Sequence, residues 1–121
     1  MKRYEIQTNP FRVPTGDDKL ILEHFGMASI NAGEFSLARM VAPAGWSEPY
    51  QVPEFDEFTL MLSGRKRIEV DGDTVEVGAG ESIWIKAGAR VRYANPFNEP
   101  AEYISLCVPA FTPDRVNREG S

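Results

Sequence analysis

One histidine, His24, and one cysteine, Cys107, occur among the 121 residues, and these two counts decide much of the available chemistry. A metal site built from several imidazoles is excluded, and so is an intrachain disulfide framework. Cys107 lies in the apolar run 104–108 with no basic cluster beside it in sequence, so it reads as a small buried hydrophobe rather than a reactive thiol. Four carboxylates gather at Glu48, Glu54, Asp56 and Glu57. Such a cluster suits a hard cation, but neighbours in a strand point to opposite faces, so Asp56 and Glu57 do not readily share an ion. A solvated rim is the plainer reading. The loop 45–50 carries Trp46 and Tyr50, which could stack on a planar ligand, close one end of the fold or meet a partner subunit.

The elements that position these residues are strands. Period-two alternation dominates from residue 19 onward, in the runs 19–25, 35–42, 55–63, 65–70, 74–77, 82–86, 90–94 and 101–108. Asp71-Gly72-Asp73 between two such runs is a hairpin signal, and Gly, Pro and Asn punctuate the rest. No segment holds a 3.6-residue apolar period over three turns. The fold class is therefore all-β, an antiparallel sandwich or barrel in a single domain. Residues 1–18 form an N-terminal arm, 19–111 the barrel and 112–121 a polar tail, in which Thr112 and Pro113 can open a short helical turn. A net charge of −5 leaves no basic surface for phosphates, so no nucleic-acid partner is expected. The first 14 residues lack the apolar core of a signal peptide, and no window of about 18 apolar residues exists for a membrane span. A soluble, cytoplasmic protein with no membrane partner is the expectation.

Two stretches resemble the paired motifs of the cupin superfamily, the small germin-like and RmlC-like barrels. In the first, Gly45 opens the motif, Gln51 and Pro53 stand at its two histidine positions, Glu57 matches its glutamate and Gly64 closes it. In the second, Gly80 opens, Lys86 replaces a proline, Gly88 matches, Val91 stands at the third histidine position and Asn95 closes. Six of these ten positions are kept, with 15 residues between the motifs. The resemblance implies a double-stranded β-helix, the cupin jelly roll. It also implies a loss, because in metal-binding relatives three histidines and the glutamate hold the ion. Here Glu57 alone survives, with Gln51 as a neutral oxygen donor. No cofactor is expected, a weakly held divalent metal being the exception. Metal-poor members include some sugar epimerases and a protein of ethanolamine utilisation, which Asp56-Glu57-Phe58 resembles.

If Gln51 and Glu57 point inward as the family's ligands do, alternation sends Thr59, Met61, Val91 and Tyr93 inward and Arg90 and Arg92 outward. Either Trp84 or Ile83 faces the cavity, and Arg39 could point either way. The expected ligand contacts are Gln51, Tyr93, Met61, Thr59, Val91, Arg39 and Trp84. Glu57 is the expected catalytic residue, a carboxylate whose pKa an apolar barrel would raise toward the range of general acid–base work. The alternative is a remnant paired with Arg39 or a buried water. Arg65-Lys66-Arg67 reads as a solvated edge, and His24 as a surface or interface residue, with a place at a neighbouring barrel's mouth also open. Three functions follow: a metal-independent lyase or isomerase for a small metabolite, a non-catalytic binding or sensing barrel, and a metal enzyme with a displaced site. Apolar outer faces in so small a chain point to a homodimer.

Overall fold

The computed structural model describes residues 2–120. All eight expected strands form, as β2 (Leu20–Phe25), β3 (Ser36–Ala42), β4 (Asp56–Ser63), β5 (Arg65–Val70), β6 (Asp73–Gly78), β7 (Ser82–Ile85), β8 (Val91–Ala94) and β9 (Ala101–Val108). The sequence reading passed over β1 (Phe11–Arg12) and the single-turn helix α1 (Met27–Ile30), each too short to carry a period. A second short helix, α2 (Pro113–Val116), starts after Thr112 as expected. Two antiparallel sheets face each other, a six-stranded one in the order β1-β2-β3-β9-β4-β7 and a three-stranded one in the order β6-β5-β8. Residues 47–51 lengthen the smaller sheet, through bridges from Ser47 to Ala94 and from Gln51 to Val91. This is a jelly-roll barrel.

Local chemistry sets the turns that close it. Asp71 and Gly72 both have positive φ, 49° and 90°, as a two-residue hairpin between β5 and β6 requires. Gly64 has φ 72°, and a Cβ there would lie 2.4 Å from the Pro100 carbonyl oxygen, so the β4–β5 corner accepts only glycine. Asn95 is fully buried, and its side-chain amide donates to the carbonyls of Ala42, Pro43 and Glu99.

The barrel interior has two parts. At one end Met61, Ile68, Val91, Ile85 and Ala42 pack into an apolar core. At the other a cavity of about 370 Å³ opens between the sheets, walled partly by residues 13–17. The arm is thus part of the barrel wall, and the tail is more than a polar appendage: Val116 is buried against Phe55 and Cys107.

Candidate functional site

Each side chain at the cavity is placed by strand alternation. On β4, Glu57, Thr59 and Met61 turn inward while Asp56 turns out, where its carboxylate accepts from Trp84 Nε1 and the Ala87 amide. On β9, Tyr103, Ser105 and Cys107 turn inward. Glu57 lies where these strands meet. Its Oε1 accepts a hydrogen bond from the Tyr93 hydroxyl at 2.8 Å, and its Oε2 accepts one from the Ser105 hydroxyl. Gln51, Glu57 and Tyr93 all line the cavity.

Five of the expected ligand contacts lie elsewhere. Thr59, Met61 and Val91 do point inward, but they are packed beneath the cavity, between 0% and 2% exposed, and do not line it. Arg39 faces outward and pairs with Glu102 at 2.8 Å, so it does not serve Glu57. Trp84 is 57% exposed and stacks on Phe58, while Ile83 packs against the core; Ile83 is therefore the inward member of that pair. Trp46 is buried rather than presented to a ligand: its Nε1 donates to Asp17 and fastens the arm. Tyr50 donates to Glu69 under the guanidinium of Arg90, away from the cavity. His24 falls on the outward side of β2 and does not line the cavity.

The larger correction concerns polarity. The interior around Glu57 is charged rather than apolar, because Lys19, Glu48 and Lys66 join it in the cavity wall. Lys66 is only 2% exposed and so is no solvated edge. It occupies an inward position on β5, in phase with Ile68, while Arg65 and Arg67 face out to Glu76. That phase was readable in the sequence, since period-two alternation groups Lys66 with Ile68 and Val70. The Lys66 ammonium nitrogen sits 3.8 Å from the Tyr103 ring centre and 4.2 Å from that of Tyr93. Lys19 sits 4.3 Å over Trp46.

These environments drive the two lysines apart. Burial, foremost, pushes Lys66 below its ordinary pKa, and the charge of Lys19 pushes the same way against Tyr103 and the carboxylates. For Lys19 burial also acts downward, but Tyr103, Glu48 and Glu57 outweigh it and hold the ammonium above its ordinary value. Burial raises the Glu48 carboxyl, opposed by Lys19, Arg118 and Lys66. Burial and then Glu57 raise Tyr93 well above a free phenol, and burial keeps the Cys107 thiol protonated.

A Cupin domain matches residues 38–108. The chain belongs to the cupin family. Solved structures share the fold. A polyketide cyclase, RemF from Streptomyces resistomycificus, is 17% identical, with 100% of this chain and 87% of that one aligned at a TM-score of 0.75. The EutQ protein of Clostridium difficile is 21% identical over 78% of this chain and 65% of its own, at 0.64. Among curated proteins, one from Myxococcus xanthus named "Endoribonuclease YbeY" is 42% identical over 107 residues, 88% of this chain. The chain spans only 36% of that relative's length.

The donors at the cupin ligand positions do not fit a divalent ion. Gln51 and Glu57 reach the cavity, Val91 is buried in the core and Pro53 offers no side-chain donor. No group of three His, Cys, Asp or Glu side chains able to hold a metal occurs among the described residues. Lys66 adds a positive charge to the same wall.

Proposed function

We propose that this cupin binds a small polar metabolite in the barrel cavity and moves a proton on it without a metal, as a lyase or isomerase, with Glu57 as the general acid–base. The observation that carries the reading is the seating of Glu57. One carboxylate oxygen is held by Tyr93 and the other by Ser105, at the wall of a cavity of about 370 Å³ that suits a small ligand. Gln51 and Tyr93 orient the ligand from the same wall. Lys19, held charged, faces the cavity and favours a ligand with an anionic group. The likeness to RemF, whose name is that of a cyclase, is consistent with chemistry on an organic substrate. The ribonuclease name of the Myxococcus protein carries less, since it covers a chain of which this one spans only 36% and this one has a net charge of −5.

The test begins with a ligand found by thermal-shift screening of small metabolites. Glu57→Gln keeps the shape of the side chain and removes the proton acceptor. Turnover is expected to fall by about 10²–10⁴ while affinity stays within about tenfold. Equal turnover by the variant removes Glu57 from the mechanism. Binding without turnover in the native chain makes the protein a sensor. A second copy of the chain is the partner we propose for the outer face of the six-stranded sheet, and the cytoplasm its location.

A further inference from the structure

Lys66 is a charge-bearing group that the proton-transfer reading leaves unused. It is buried at 2% exposure, lines the same cavity as Glu57 and Tyr93, and rests between two aromatic faces. Among the described residues no carboxylate lies within ion-pair distance of its nitrogen, and no acceptor makes a hydrogen bond to it. Apart from these two rings, the primary amine faces the cavity. The Tyr103 hydroxyl beside it also makes no well-formed hydrogen bond. A structural lysine would be expected to reach a carboxylate, and two of them, Glu48 and Glu57, line the same cavity.

We propose that Lys66 is a nucleophile that forms an imine with a small carbonyl substrate, and that the proton Glu57 moves is one on the carbon next to that carbonyl. This rests on the proton-transfer reading above and names its substrate class. Lys66 first passes a proton through one bridging water to Glu57, which lies beyond direct ion-pair reach. The lone pair of Nζ attacks the carbonyl carbon, the C=O π pair moves to oxygen, and one N–H proton shifts to that oxygen to give a carbinolamine. Glu57 returns its proton as the C–O bond breaks, so water leaves and the nitrogen lone pair closes the C=N bond of an iminium. The positive nitrogen then accepts the electron pair released when Glu57 takes the α-proton, giving an enamine. Reprotonation and addition of water restore the lysine. No oxidant or reductant is consumed. Burial favours the neutral amine the attack needs, and Lys19, which shares the Tyr103 ring with Lys66 and is held charged, supplies an anion contact instead.

Pyruvate, a small oxo-acid, is the probe, with sodium cyanoborohydride to trap the imine on the intact chain. Lys2, Lys19, Lys66 and Lys86 are the only lysines, so peptide mapping resolves them. One adduct per chain is expected, at least tenfold enriched on Lys66 over exposed Lys2 and Lys86, and lost in Lys66→Met but kept in Lys86→Arg. Labelling spread over Lys2 and Lys86, or absent from Lys66, overturns the imine. A second arm follows exchange of the pyruvate methyl hydrogens in D2O, with circular dichroism confirming that each variant is folded. Loss of exchange in both Lys66→Met and Glu57→Gln supports the full proposal. Exchange that persists in Lys66→Met but is lost in Glu57→Gln overturns the imine and leaves Glu57 as the base. Trapping at Lys66 with undiminished exchange in Glu57→Gln overturns the role of Glu57 and leaves the imine standing.

Discussion

Lys66 bears on stability as well as on chemistry. Its pKa in the folded chain lies below that of the unfolded chain, so between the two values the unfolded state holds more protons and stability rises with pH through that window. Below the folded value the buried ammonium is a standing cost. Lys66→Met should therefore stabilise the barrel at neutral pH by about 1 kcal/mol or more, several degrees in Tm. The advantage should shrink as pH climbs toward the ordinary lysine value. Thermal melts of both chains from pH 6 to about pH 10 check it; an unchanged or lowered Tm for the variant at neutral pH would show that Lys66 is better compensated than its contacts indicate. At this scale the sequence was half legible. Motif spacing found Gln51 and Glu57, and alternation found Tyr93. Lys66 was hidden by its neighbours, since Arg65-Lys66-Arg67 looks like a charge run until the period-two phase of Ile68 and Val70 is imposed on it. Lys19, Glu48 and Ser105 come from three distant segments, and only the folded barrel brings them together.

Among the elements, turn chemistry was the most legible part. Asp71-Gly72 announced its hairpin, and Asn95 closed the second motif at its usual spacing. The structure shows what Asn95 does: three carbonyls from the β3–β4 and β8–β9 connections depend on its one amide. Asn95→Ala removes the donor from all three, the Ala42 bond being the buried one, and is expected to cost about 1–3 kcal/mol in urea unfolding; a loss below a few tenths would mean that water replaces the amide. The part the arm plays in the cavity wall was not legible, because residues 1–18 show neither period and β1 has only two residues. Its place in the cavity wall rests on the bond from Trp46 to Asp17, 2.7 Å long. Asp17→Ala should loosen this flap, and faster amide hydrogen exchange at residues 13–17 is the expected sign. Unchanged exchange there would assign the hold to the β1–β2 pairing and to the bonds from Val13 to Ile21 and from Thr15 to Lys19.

Across the whole molecule, the cavity end of the six-stranded sheet inverts the usual arrangement of a half-solvated sheet. On β9 the inward row is Tyr103, Ser105 and Cys107, and the outward row is Ile104, Leu106 and Val108. On β4 the inward Glu57 and Thr59 are answered outside by Phe58, Leu60 and Leu62. Leu60, Leu62, Trp84 and Val108 remain exposed on that continuous face. A polar cavity inside and an apolar surface outside are the pattern of a sheet that packs on another, and a twofold axis would set this face against its own copy. Light scattering of the native chain should return twice 13.5 kDa, and Leu60→Glu should return the single mass; a native monomer contradicts the dimer. The most direct measurement of the central claim is a high-resolution crystal structure of the untagged protein with the screened metabolite in the barrel. An organic ligand is expected there with a carbon-bound hydrogen turned to the Glu57 carboxylate, about 3–3.5 Å from carbon to oxygen. Glu57 turned to bulk solvent, or closed around a cation, would contradict it.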